Sequence, residues 1–241
     1  RRLYDKLFGN VADFVFFFAG EMPAAEARPL VEKYIGSLPA APKRKFAKTD
    51  FRIVPGAAEY DAVVPGAVTP KSSIERIYHG RFDYTPENYA ALRYVTYILG
   101  ARYLTTVREE KGGTYGVRVQ GSTKYIPRET YSMTISFDTN EEMADELREI
   151  VMKEIEEIAA NGPKSEDIEK HREFMLKSWK NSLEQNGAWM NYIQIKYGSG
   201  LNYIADHEQA IRDLTNADVQ ALAKKILADG NLVKVVMRPS K

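Results

Sequence analysis

The segment ETYSMTISFDT, residues 129–139, restricts the possible folds more than any other stretch of this chain. Tyr131, Met133, Ile135 and Phe137 alternate with Thr130, Ser132, Thr134 and Ser136, and a period of two sends the four large apolar side chains to one face of a strand. A strand that is apolar on one side and hydroxyl-rich on the other suits an antiparallel sheet with one solvated face, because a parallel sheet is normally covered on both. The preceding TYGVRVQGSTKYI, residues 114–126, supplies a hairpin partner, with the turn around Pro127. Downstream, Met143, Leu147, Ile150, Val151, Ile155 and Ile158 recur at helical spacing, interrupted by Glu154. The spacing predicts a long helix, opened by a capping box of Thr139 with Glu142 and closed near Gly162. Its apolar stripe can cover the apolar sheet face, so the expected class is α+β, an antiparallel sheet with helices packed on it.

The rest of the chain extends this plan. DFVFFFAG, residues 13–20, is a continuous apolar run and predicts a strand buried on both faces. After Pro23, the apolar residues Leu30, Val31, Tyr34 and Ile35 predict a helix stopped by Gly36. The proline-rich stretch 38–70, with its basic run Lys43–Lys45, reads as a solvated linker, since no aromatic platform accompanies the charges as a nucleic-acid site would require. SSIERIYHG, residues 72–80, predicts a strand. Thr85 as N-cap with Pro86 at the first helical position opens a helix through Gly100, followed by a short one over 101–111. Ser165 opens another helix, Gly187 and Gly198 punctuate AWMNYIQIKYG, Thr215 with Asp218 caps a last helix, and NLVKVVMRP forms a closing strand. One internal echo stands out: FGNVADFVFFFAG near the start and DGNLVKVVMRP near the end both place an apolar strand after Gly-Asn. The opening RRLYDKLFGN enters in mid-element, as a piece of a longer chain would.

Several function classes find no support. With 34 Lys and Arg against 33 Asp and Glu, the net charge of +1 offers no field that would draw nucleic acid or an anionic membrane, and no apolar run is long enough to span a bilayer. The chain has no cysteine, hence no thiolate zinc site and no cysteine nucleophile. Its three histidines, His79, His171 and His207, lie on separate elements with no paired spacing for a metal. His171, between Glu169 and Glu173 in IEKHREF, reads as part of a solvated helix face. There is no G-x-S-x-G elbow, and in EKGGTYG the lysine precedes the glycines, so it is no phosphate loop.

What remains is VREEKGGTYGV, residues 107–117. Arg108 leaves a helix end, Gly112 and Gly113 allow backbone conformations other residues avoid, and Tyr115 opens a strand. An arginine fork and a tyrosine hydroxyl both suit the grip of a carbonyl or oxyanion oxygen. The same residues fit a plainer arrangement, in which the glycines cap a helix, Arg108 pairs with a nearby carboxylate and the tyrosine ring packs with its hydroxyl in water. Chemistry alone leaves both open.

Four stretches together change that balance: FGNVADFVFFFAGEMP with LVEKYIGSLP, YVTYILGARYLTTVREEKGGTYGV, YSMTISFDTN before a long helix, and the closing NLVKVVMRP. In this order they resemble the insulinase and pitrilysin family of inverted zinc metallopeptidases, in particular the C-terminal half of a two-half, bacterial-type member. The resemblance implies a metallopeptidase-half-like α+β domain preceded by the tail of a second similar domain: residues 1–40 as the tail, 41–65 as a linker, and 66–241 as a complete domain. It implies no cofactor in this chain, with zinc held by the N-terminal half. It also implies a peptide as substrate and the N-terminal peptidase half, in the same chain or a partner subunit, as partner. Arg108 and Tyr115, seven residues apart, match the arginine and tyrosine by which such a C-terminal half reaches the substrate backbone, with Gly112 and Gly113 shaping the loop. A non-catalytic scaffold of the same family and an unrelated peptide-binding α+β module are the alternatives. The absence of cysteine and the bacterial-type resemblance lean towards the periplasm.

Overall fold

The computed structural model describes residues 1–45, 54–66, 71–109, 111–112 and 114–240, without the side chains of Arg108 and Glu109. The chain divides into two compact units, residues 1–50 with 180–201 and residues 51–179 with 202–241.

In the larger unit five strands form one sheet: β1 Ala57–Val64, β2 Ser72–Arg81, β3 Arg118–Lys124, β4 Thr130–Thr139 and β5 Leu232–Pro239, in the spatial order β1-β5-β2-β4-β3. The expected hairpin is present, with β3 antiparallel to β4 and a cis peptide at Ile126–Pro127 between them. Tyr131, Met133, Ile135 and Phe137 are all buried, as the alternation requires. One pairing departs from the antiparallel plan. β1 runs parallel to β5 at the sheet edge, so the stretch expected as linker contains a strand. Its eight residues carry an alternation too weak to separate from a loop, and pairing with β5 supplies what propensity does not.

Helices cover one face of this sheet. α3 spans Pro86–Tyr103, α4 Ala144–Asn161, α5 Ser165–Ser182, α7 Tyr203–Asp213 and α8 Asn216–Ala228. α3 opens as its sequence predicts, with Pro86 in the first turn and the Thr85 hydroxyl accepting from the Asn88 N–H. α8 begins with the expected capping box, Thr215 and Asp218 each satisfying the other's backbone N–H. α4 does not. β4 continues through Thr139, which is buried, and the helix starts at Ala144 after Asn140 Oδ1 accepts from the Met143 N–H at 2.9 Å. Leu147, Val151, Ile155 and Ile158 form its buried stripe, and Gly162 ends it at φ +78°, a conformation that favours glycine.

Gly80 shows how closely sheet and helix layers approach. The Tyr131 hydroxyl donates to Asp229 Oδ2 at 2.8 Å, and Lys225 Nζ lies 3.0 Å from the same carboxylate. Burial, then the neighbouring carboxylate, raise the Tyr131 pKa, so the phenol stays protonated and donates. A Cβ on Gly80 would run into the Asp229 carboxylate and lie 2.8 Å from Tyr131 Cε1. Gly80→Ala is expected to cost about 2 kcal/mol by overpacking, measured as a lower urea midpoint with an unchanged slope. An unaltered midpoint would show that the layers yield freely there.

The smaller unit contains α1 Arg2–Phe8, a 3₁₀ turn Val11–Asp13, α2 Ala24–Tyr34 and α6 Asn186–Ser199. α2 lies where it was expected, but 14–20 does not form a strand. Phe14, Val15, Phe16 and Phe18 are exposed, and no described strand lies beside them. An extended apolar run becomes a strand only when a neighbour supplies hydrogen-bond partners. The basic run is not simply solvated either: the Arg44 guanidinium bonds Asp13 and the carbonyls of Lys6 and Leu7. Gly187 and Gly198 lie inside α6, and the stop is Gly200, in the left-handed region at φ +80°.

Candidate functional site

The last turn of α3 passes directly into a π-helical turn, Leu104–Glu109. Such widened turns are rare and frequently found where a helix must present a functional side chain. Val107, fully buried, anchors it, and the Thr106 hydroxyl donates to the Arg102 carbonyl at 3.0 Å. The backbone of Arg108 lies in this turn; its side chain, and Gly113 altogether, lie outside the described residues. Lys111 Nζ reaches Glu146 Oε1 at 2.6 Å, tethering the segment to α4. Gly112 sits at φ +63°, where a side chain would be strained, so a glycine is required there for a backbone reason.

Tyr115 follows. Thr114 and Gly116 close a local turn through the Thr114 hydroxyl, which accepts from the Gly116 N–H at 3.3 Å. The Tyr115 side chain is 88% exposed, the most exposed large hydrophobic side chain described. Lys71 Nζ stands 5.0 Å from its ring centroid, within cation–π range. An aromatic ring held almost wholly in water, three residues before β3 begins, is costly unless something covers it or it covers something. The ring is thus not packed against the domain, as the plainer arrangement would have it.

The histidines show a different arrangement from the one their sequence suggests. His171 is buried, not solvated. Its ring stacks on Tyr97 at 3.8 Å and meets the edge of Tyr94 at 4.6 Å. His207 packs against Trp179 and Tyr203, with ring centroids at 4.7 and 4.3 Å. Burial first, and then the positive charge of Arg93, push His171 down to about 3 and His207 to about 4. A legible signal existed: Ile168, His171, Met175 and Trp179 make the buried stripe of α5 at helical spacing. The charged neighbours of His171 obscured it.

Among the described residues no group of three or more His, Asp or Glu side chains is arranged to hold a metal. No described helix is long and apolar enough to cross a membrane.

A five-stranded sheet with helices on one face defines an α+β domain. Residues 1–175 match the family model for the peptidase M16 inactive domain, and the chain belongs to that family. It is 21% identical over 211 residues to a zinc protease PQQL-like protein of Arabidopsis thaliana, a match covering 81% of this chain and 22% of the relative. Among solved structures, the peptidase M16 inactive domain from Pseudomonas fluorescens superposes with a TM-score of 0.74 at 23% identity, over 92% of this chain and 53% of that one. The periplasmic protease PqqL from Escherichia coli superposes at 0.71 and 16% identity, over 92% and 25%. At these identities the superpositions establish the fold. The chain spans about a fifth of the length of its curated relative, 22%.

Proposed function

We propose that this chain is the zinc-free C-terminal half of an insulinase-type metallopeptidase, which closes over a peptide and orients it for hydrolysis by zinc in the N-terminal half. Tyr115 is the observation that carries this reading: its hydroxyl stands clear in solvent just after the turn that bears Arg108, in a chain that matches an inactive peptidase domain. In the closed protein the phenol and the guanidinium donate to the scissile carbonyl and stabilise the oxyanion as it develops, while the other half supplies the metal and the base. Gly112, at a positive φ, shapes the loop between the two donors in this reading. The periplasm fits this reading, since the Escherichia coli neighbour is described as periplasmic.

Residues 1–40 are the tail of a preceding domain of the same type, and the following domain takes in β1, Ala57–Val64, as well as 66–241, because that strand pairs with β5 in its sheet. The Gly-Asn echo supports the duplication at the level of hydrogen bonds. After Asn10, the Val11 N–H donates to the Pro39 carbonyl, and Asn10 Oδ1 accepts from the Ala41 N–H. After Asn231, the Leu232 N–H donates to the Gly56 carbonyl, and Asn231 Oδ1 accepts from the Gly56 N–H. The second asparagine leads into β5, between β1 and β2. By the same logic, in the longer protein 14–20 becomes a central strand once a preceding domain supplies its neighbours, although it forms none in this structure.

Metal analysis and a peptide assay test the proposal. The isolated chain is expected to bind no zinc stoichiometrically and to cleave nothing, whereas the longer protein binds zinc and is active. A tightly bound zinc in the isolated chain would overturn the assignment.

A further inference from the structure

The sheet leaves one face open, and its charges are arranged there in a particular way. In the strand register, Glu75 of β2 and Arg118 of β3 both stand opposite Ser136 of β4. They flank that serine in one row, about 10 Å apart at the usual strand spacing. In the next row Asp138 faces Ser73, whose hydroxyl donates to its carboxylate at 2.6 Å. These residues, with Gly116 and Met237, line a depression of about 390 Å³. Gly116 borders open space, since a Cβ there would meet nothing within 4 Å. The depression therefore begins one residue from Tyr115.

Opposite charges on a solvated sheet face are commonly neutralised as cross-strand pairs. Here Ser136 separates them. Among the described residues Glu75 and Arg118 have neither a hydrogen-bond nor an ion-pair partner, so both charges face the depression with only solvent to balance them. Among the lining residues two carboxylates on the β2–β4 side face one guanidinium, with the Lys71 ammonium engaged on the Tyr115 ring beyond it, and Met237 offers an apolar bed for an aliphatic stem.

Resting on the peptide-binding reading above, we propose that this depression is a side-chain subsite for a basic residue, lysine or arginine, of the bound peptide, close to the bond that Tyr115 addresses. Glu75 and Asp138 receive the cationic head, and Met237 lies along the methylenes. Arg118, on the far side of Ser136, donates to carbonyl or carboxylate oxygens of the peptide and repels a second cation.

Three peptides that differ only in carrying Lys, Ala or Glu beside the scissile bond provide the test, offered to the full-length protein. Binding is read by calorimetry after zinc is stripped with a chelator, and cleavage is read with zinc restored. The Lys peptide is expected to be favoured over the Glu peptide by about tenfold in both readouts, in the range of a charge pair at a partly exposed site. Glu75→Gln should bring that ratio close to unity and Glu75→Lys should invert it, an inversion that a purely structural role cannot produce. Discrimination in binding without cleavage of any peptide would keep the subsite and remove the peptidase reading. Cleavage without discrimination, or a preference that survives Glu75→Lys, would overturn the subsite, and no binding of any peptide would overturn both.

Discussion

Replacing Tyr115 by Phe in the full-length protein is expected to lower peptide turnover by about two orders of magnitude, the loss of about 3 kcal/mol that follows removal of one preorganised oxyanion donor. Arg108→Ala should lower it at least as much, since a guanidinium donates through a fork of N–H groups and brings charge to the developing oxyanion. Zinc content should be unchanged in both, because the described residues of this chain contain no metal-ligand cluster. The loss should fall mainly on kcat, since donors aimed at the oxyanion act more strongly in the transition state than in the bound substrate. Folding should also be unaffected in the tyrosine variant, given that its side chain is 88% exposed. If both variants turn over peptide at the wild-type rate, the segment is a helix cap followed by an exposed ring and nothing more.

The second large effect is a loss of stability in mild acid. His171 and His207 are held neutral, pushed down from 6.5 to about 3 and about 4. The sign follows from proton counting. As pH falls below 6.5 the unfolded chain binds protons at both imidazoles while the folded chain does not, so stability declines through the window between 6.5 and each lowered value. The slope is about 1.4 kcal/mol per pH unit for each histidine. Between pH 7.5 and pH 4.5 the pair should remove a few kcal/mol, a sizeable share of the stability of an ordinary domain. Urea midpoints at the two pH values measure this. Carboxylates titrate as well, so the decisive comparison is with His171→Phe and His207→Phe, each of which should flatten the profile by its own share. Profiles that keep the wild-type slope in both variants would place the imidazoles in contact with water.

Much of the larger unit was legible in the sequence, for a local reason in each case. β4 could be read because its two faces meet different environments, and α4 because its stripe meets the sheet. The openings of α3 and α8 are set by side chains within three residues of the helix start, as are the bonds that satisfy them. β2 was found as a strand, but its helix-facing row, Ser72, Ile74, Arg76, Tyr78 and Gly80, mixes polar and apolar residues, so the sequence could not say which face was inner. The capping box expected at Thr139 failed because β4 kept that residue for the sheet: a ladder already under way outcompeted a local cap.

Of the candidate site, residue types and order came from the sequence, and exposure came from the fold. VREEKGGTYGV names a possible pair of donors, but only the structure shows Tyr115 standing in solvent, Gly112 in a conformation that requires glycine, and the preceding turn widened. The open depression at Glu75 and Arg118 was invisible in the sequence, since those residues are 43 positions apart in the chain and meet only through β4.

The amino-acid sequence by itself determined the periodicities, the caps of α3 and α8 and the absence of a paired-histidine metal motif, because each depends on neighbours a few residues away. The tertiary structure alone decided that β1 joins β5 in parallel, that 14–20 remains without a strand partner among the described residues, and that two histidines are buried among aromatic rings. Those outcomes depend on which distant segment supplies the hydrogen bonds or removes the water, and no local pattern encodes that.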